Sequence, residues 1–284
     1  MNDAIQLENL TKRYPNFSLD NVSLSLPRGC IMGLIGKNGA GKTTTLKLLL
    51  GLRRPDGGKI TLLGLPLEGH EAEIKSRLGV ALDDNRFSEA FSPKDVNRIL
   101  RLVHSRWDET YFRSLADRFG LPWTMPLKKY SRGMKMKLSL SAALAHRPEL
   151  LIMDEATSGL DPVARDEILD MLQEFISDGG HSVLLSSHIT DDLERVCDYI
   201  SFLDKGRLVF SEDRERLRER YGVVRAGQSA LAALPKDHIL GVKQGSLGME
   251  ALVDNRMELT AAHPDWVIDP ASLAEIMVLY GREK

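Results

Sequence analysis

The residues with the most specific chemistry are Gly36-Lys37-Asn38-Gly39-Ala40-Gly41-Lys42-Thr43-Thr44. They fit the phosphate-loop spacing G-x-x-x-x-G-K-[ST] without a mismatch. Glycines let the backbone curl until successive N–H groups point at one anion, and a helix that starts there adds its positive end. In such a loop Gly36, Asn38, Gly39, Ala40, Gly41 and Thr44 form the cradle. Lys42 reaches the outer phosphates of a nucleotide, and the Thr43 hydroxyl serves as a ligand to Mg²⁺.

A second group follows at residues 149–155. Leu150-Leu151-Ile152-Met153 is an apolar run of strand type that ends in Asp154 and Glu155. A strand ending in Asp downstream of a phosphate loop supplies the carboxylate that holds Mg²⁺ with Thr43. Glu155 is placed to polarise a water in line with the terminal phosphate. His188 ends another apolar run, Ser182-Val183-Leu184-Leu185-Ser186-Ser187. In parallel α/β sheets that end of a strand is where ligands sit. A histidine there either contacts the terminal phosphate or serves packing, and the position favours the phosphate.

These groups need a sheet to bring them together. Cys30 to Ile35 reads as the strand before the loop, and Thr45 to Leu50 as the helix after it. Period-2 alternation marks strands at Ile5–Leu10 and Val22–Leu26, with Tyr14-Pro15-Asn16-Phe17 as a turn. An aromatic at this turn either stacks on a purine or caps the sheet, and the local sequence leaves both open. Leu78–Leu82 reads as a further strand. From Phe87 to about His146 the texture is helical. Ser92-Pro93-Lys94-Asp95 is a capped helix start, with Val96, Ile99, Leu100 and Val103 on one apolar face. Tyr111, Phe112, Leu115 and Phe119 form the apolar side of the next helix. This insertion serves partner contact or gating, or only fills out the fold. Pro162–Ser177 is a helix. Beyond Tyr221 short alternating runs precede a helix that starts near Asp269, as in a small α/β appendage.

Composition narrows the function classes. A net charge of −2 provides no global basic field for nucleic acid. Lys128-Lys129 and the run Arg214–Arg220 read as solvated faces. The two cysteines, Cys30 and Cys197, are too few for a disulfide framework or metal site and read as small core residues. Met1-Asn2-Asp3-Ala4 opens no signal peptide, and no window holds the roughly 18 apolar residues of a membrane span. The expectation is a cytoplasmic chain whose membrane role, if any, runs through a partner.

Taken together, these motifs resemble the ABC ATPases, the nucleotide-binding subunits of ATP-binding-cassette transporters, over residues 4 to 215. The resemblance implies an α/β fold: a P-loop NTPase cassette with a RecA-like core, an antiparallel β subdomain, a helical subdomain insertion and a small C-terminal α/β appendage. The implied parts are 1–86 with 147–220 for the core, 87–146 for the helical subdomain and 221–284 for the accessory domain. Tyr14 falls at the family's adenine-stacking aromatic, and Gly36–Thr44 at Walker A. Leu151–Asp154 matches Walker B, followed by the catalytic Glu155. Ser158-Gly159-Leu160-Asp161 matches the D-loop, and His188 the switch histidine.

Two departures stand out. The signature, usually L-S-G-G-Q, is Tyr130-Ser131-Arg132-Gly133-Met134, which keeps Ser131 and Gly133. The family's Gln-loop position, counted from Gly79, is Asp83, which still offers an oxygen to Mg²⁺. The family implies ATP and Mg²⁺ as ligands, with Lys42, Glu155 and His188 as the catalytic set. Asp161, Ser131 and Gly133 would contact nucleotide, the last two from a second cassette packed head to tail. It also implies a transmembrane permease, gripped by the helical insertion near Phe87 and Phe91, and therefore a position on the inner face of the membrane. The signature and appendage are similar to exporter-type cassettes. A soluble ABC ATPase acting on ribosomes or DNA is the rival. It fits less well, because translation factors carry two cassettes and repair types a coiled coil. Intact Lys42, Asp154, Glu155 and His188 argue against a module that binds without hydrolysis.

Overall fold

The structure is a computed structural model that describes residues 3–82, 87–227, 234–245 and 248–282. It divides into two compact units, 1–211 and 212–284.

The first unit holds two sheets. One contains β1 (Ile5–Tyr14), β2 (Phe17–Leu26), β4 (Gly57–Leu62) and β5 (Leu65–Pro66), in the order β2-β1-β4-β5. Its neighbouring strands pair antiparallel, and Tyr14 pairs with Phe17 across the two-residue turn Pro15-Asn16. Each long strand is ten residues, longer than its alternating segment. The turn at Pro15 therefore joins strands directly instead of closing a loop.

The other sheet contains β3 (Ile31–Ile35), β6 (Leu78–Leu82), β7 (Leu150–Asp154), β8 (Ser182–Ser186), β9 (Tyr199–Asp204) and β10 (Arg207–Asp213). The order is β10-β9-β3-β8-β7-β6, with parallel pairing from β9 through β6. β3 and β8 are buried along their whole length, as expected for parallel strands covered on both faces. One core joins the two sheets. In it Leu7, Leu24 and Ile60 of the first meet Leu34, Ile152 and Leu184 of the second, with Leu46 and Leu49 of α1 (Lys42–Leu49).

The short α2 (Glu71–Ser76) precedes β6, and between β6 and β7 lie α3 (Pro93–Val103), α4 (Glu109–Arg118) and α5 (Arg132–Leu144). Ser92 caps α3 in a full capping box with Asp95, as its sequence suggests. The expected apolar face of α3 is not buried as a unit. Val96 is fully buried, but Ile99 and Val103 are exposed, and Asn97 is buried in their place. The cause is Trp107, whose indole N–H donates to Asn97 Oδ1 at 2.8 Å. A buried indole N–H needs an acceptor. On α4, Phe112, Leu115 and Phe119 are buried as expected, while the half-buried Tyr111 lies under the Arg147 guanidinium at 3.5 Å.

α6 (Pro162–Ile176) and α7 (Thr190–Val196) flank β8 in sequence. Cys197 is buried, but Cys30 is only half-buried, because it lies just before β3.

The first helix of the second unit is α8 (Arg214–Arg220), so the charged run is a helix, capped by the Asp213 side chain and burying only Leu217. β11 (Gly222–Ala226), β12 (Ile239–Gly245), β13 (Gly248–Val253) and β14 (Ile268–Pro270) form an antiparallel sheet in the order β12-β13-β11-β14. α9 (Arg256–Ala262) and α10 (Leu273–Leu279) complete the unit.

Two stability outcomes follow from this packing. Phe112 is fully buried, with Trp107 and Trp123 rings 5.0 and 5.8 Å away. Phe112→Ala is expected to destabilise the helical layer by about 3–5 kcal/mol, read from tryptophan fluorescence in urea. Glu149 is held below its ordinary carboxyl value of 4.5, first by its hydrogen bond from Arg77. A carboxyl lowered by folding adds stability above its unfolded value and loses it as pH falls through the folded one. Glu149→Gln should therefore cost stability near pH 7, with the gap to wild type closing in urea titrations taken progressively below pH 4.5.

Candidate functional site

The sheet sets the site by register. Leu34 of β3 and Asp154 of β7 both pair with Ser186 of β8, so one row crosses all three strands at their C-terminal ends. The loop from Gly36, the Asp154-Glu155 pair and Ser187-His188 all leave the sheet at that level.

α1 starts at Gly41, which has φ +115 and gives no side-chain cap, and no acidic residue lies in the first turn. The first N–H groups of the helix are thus left for an anion. Gly36 cannot be larger, since a Cβ there would sit 2.5 Å from the Leu203 carbonyl oxygen. Ala40 is buried, Asn38, Gly39 and Thr43 are exposed, and Thr44 is half-buried. Lys42 is only 7% exposed. Its Nζ donates to the Gly36 carbonyl at 2.6 Å and lies 4.0 Å from Glu155 Oε1. Burial pulls its pKa down, against the opposing charges of Glu155 and Asp154.

Glu155 takes the left-handed backbone at φ +49, and its N–H donates to Ser186 O at 2.8 Å. A non-glycine residue held there stores on the order of 1–2 kcal/mol. The bend brings Glu155 Oε2 to 2.5 Å from His188 Nδ1, and the His188 N–H also points at it, at 3.4 Å. A ring that donates Nδ1–H to Glu155 keeps Nε2 for a second partner. Lys42, Asp154, Glu155 and His188 therefore form one cluster around the loop.

The donor set suits one kind of metal. Among the described residues no group of three or more His, Cys, Asp and Glu side chains is arranged to hold a metal ion by itself. The site offers the Asp154 carboxylate and the exposed Thr43 hydroxyl. Mg²⁺ is held by few carboxylates, several waters and substrate phosphates, which fits this sparse oxygen set. Asp83, expected as a further ligand, lies outside the described residues.

The remaining expected residues lie elsewhere. Tyr14 is 38% exposed at the end of β1, stacked on Phe17 with ring centroids 6.4 Å apart. Phe17 is the aromatic nearer the loop, since a Cβ on Gly41 would meet its Cζ at 3.2 Å. Its position in a turn gave no sign of that contact. Ser131 caps α5 and accepts from Met134 N–H at 3.2 Å. Gly133 packs closely on α6, where a Cβ would lie 3.2 Å from Ala164 Cβ and 3.8 Å from Asp161 Oδ2. Asp161 caps α6, and the Ala164 N–H that it accepts is the main reason its carboxyl stays below the usual range. The Arg132 guanidinium lies over Gly159, within 2.5 Å of a Cβ built there. Ser131, Gly133 and Asp161 thus form a second cluster, centred on the meeting of α5 and α6.

A phosphate loop, strand-end carboxylates and a histidine on one row of a parallel sheet define a P-loop nucleotide-hydrolysing cassette. The family model described as ABC transporter matches residues 19–158. The chain is 34% identical over 218 residues to ABC transporter ATP-binding protein YtrB of Bacillus subtilis (strain 168), covering 76% of this chain and 74% of that one. It is 33% identical over 211 residues to Nod factor export ATP-binding protein I of Ralstonia nicotianae (strain ATCC BAA-1114 / GMI1000), covering 72% and 65%. A solved ATP-binding subunit of an ABC transporter matches with TM-score 0.69 and 26% identity over 82% of this chain and 96% of that one. The chain belongs to the ABC transporter ATP-binding proteins, and as one of them it binds and hydrolyses ATP.

Because Lys42 is the one buried cation inside the loop's own curl, Lys42→Ala should weaken ATP binding by at least about tenfold. A charge-assisted phosphate hydrogen bond of roughly 1.5–3 kcal/mol is lost. Titration with a fluorescent ATP analogue checks this, and unchanged affinity would remove Lys42 from the phosphate contacts.

Proposed function

We propose that this chain powers an exporter, binding ATP with Mg²⁺ and working as a pair of cassettes on a separate transmembrane permease. The observation that carries the hydrolytic part is the Glu155–His188 pair at 2.5 Å, beside Lys42 and at the level of the phosphate loop. In this reading the loop N–H groups and Lys42 hold the phosphates. Glu155 accepts a proton from the attacking water. His188 fixes the Glu155 carboxylate through Nδ1 and presents Nε2 to the terminal phosphate. Asp154 and Thr43 hold the metal, which when bound supplies charge neutralisation at the phosphates. Tyr14, backed by Phe17, is proposed to stack on the adenine.

The second cluster supports the pairing. Ser131 and Gly133 sit with Asp161 at a helix start, and a serine hydroxyl at the positive end of a helix suits a terminal phosphate reached from outside. A second copy or a close paralogue would bring it there. No helix among the described residues is long and apolar enough to cross a membrane. In this reading the membrane is reached through the permease, from the cytoplasmic side. The helical layer of residues 87–146, with Phe87 and Phe91 half-buried at its start, is the proposed grip. Nod factor export, named for one relative, favours the outward direction. The named transporter relatives likewise favour a permease over a ribosome or DNA partner.

Glu155→Gln removes the base and keeps the shape. Turnover is expected to fall about 100-fold or more, the usual share of a general base, with ATP affinity retained. With ATP present, the variant should elute at the mass of a dimer. Turnover near wild type would refute the role of Glu155, and a monomer that still binds ATP would refute the pairing.

A further inference from the structure

Several charged groups of the first unit that the site does not use lie between α6 and α7. α6 starts at Asp161 and α7 two residues after His188. Arg165, one turn into α6, donates Nε–H to Asp192 Oδ1, in the first turn of α7. Asp192 is 1% exposed. Its Oδ2 is buried and has no hydrogen-bond partner among the described residues. Further along, Arg195 of α7 donates to Asp166 at 2.5 Å and to Asp170 at 2.7 Å on α6.

The two bridges differ in kind. Asp166, Asp170 and Arg195 are exposed, and such pairs are worth little. Asp192 is withdrawn from water, so sliding α7 away from Arg165 would leave a buried carboxylate without a counter-charge. The opposite side of α7 is fixed as well. A Cβ on Gly33 of β3 would lie 3.1 Å from both Leu193 and Cys197, so α7 rests almost on the backbone of the strand that feeds the phosphate loop. With that contact as a pivot, the remaining freedom of α7 is a roll toward or away from α6. The Asp192–Arg165 bond stops that roll. His188 lies four residues before Asp192, on the segment such a roll would swing.

We infer that Asp192, held by Arg165, is a positioning residue for ATP hydrolysis. It sets His188 on Glu155 and ties that alignment to the start of α6 at Asp161. A displacement of the loop before Asp161 is then delivered to the imidazole. The inference rests on the roles proposed for Glu155 and His188.

The test compares Asp192→Asn, Asp192→Glu, Arg165→Lys, Arg195→Gln and His188→Ala in the purified full chain. Steady-state ATP hydrolysis and binding of a fluorescent ATP analogue are the readouts. Asp192→Asn is expected to lower kcat roughly 10- to 100-fold, the scale of a small misplacement of a reacting group, with nucleotide affinity unchanged. Arg165→Lys should act in the same direction, and Asp192→Glu should restore most of the rate. Arg195→Gln, which breaks only the exposed bridge, should leave kcat unchanged. A wild-type kcat in Asp192→Asn, or a parallel loss of rate and affinity that Asp192→Glu does not rescue, overturns the inference. If His188→Ala itself keeps full turnover, the underlying role of His188 fails instead.

Discussion

The site depends on keeping an ammonium ion out of water. Lys42 is nearly buried inside the curl of its own loop, and one carbonyl and two nearby carboxylates are its compensation. Burial pulls its pKa down against those carboxylates, so an anion seated in the curl would ease the cost of the buried charge. The uncapped start of α1 points the same way, because no acidic side chain in its first turn takes up the helix N–H groups. The strain at Glu155 belongs to the same arrangement. A left-handed residue at the strand end turns one carboxylate toward Lys42 and His188 at once. A relaxed backbone there would leave Lys42 with less compensation and His188 without its partner.

Much of this was legible in the sequence because it is local. The phosphate loop, the capping box at Ser92 and the apolar strands with acidic or histidine ends are short-range patterns, each with one physical cause. The sheet then makes them meet, since parallel pairing levels the ends of β3, β8 and β7. What could not be read was set by partners distant in sequence. Asn97 turned inward because Trp107, ten residues away, needed an acceptor, and the apolar stripe of α3 yielded to it. Phe17 lies beside Gly41, a meeting of distant segments that no periodicity encodes. Arg132 replaces a signature glycine, yet only the fold reveals that its guanidinium lies over Gly159. The Asp192–Arg165 pair joins two helices through residues 27 positions apart and looks in sequence like ordinary helix-surface charge.

The same fold separates two chemistries. One cluster surrounds Lys42 and belongs to β3, β7 and β8. The other, of Ser131, Gly133 and Asp161, belongs to α5 and α6. The missing side chain at Gly133 lets α5 approach Ala164 of α6 closely. In the proposed pairing this second cluster is the surface offered to the partner's nucleotide. It also gives Arg132 a structural place. A cation at a helix start opposes the helix dipole, so its position over Gly159 needs a gain elsewhere.

The link between the clusters is α7. It leans on β3 through the space that Gly33 leaves, and it bonds to α6 through a carboxylate that water does not reach. An apolar contact would hold two helices as firmly, but it would tolerate sliding. A buried charge with one counter-charge does not, because its cost rises as soon as the partner leaves. A pair of this kind adds little net stability while fixing one register. Register is what a dyad separated by 2.5 Å requires, since the helix that carries the constraint begins two residues after the histidine.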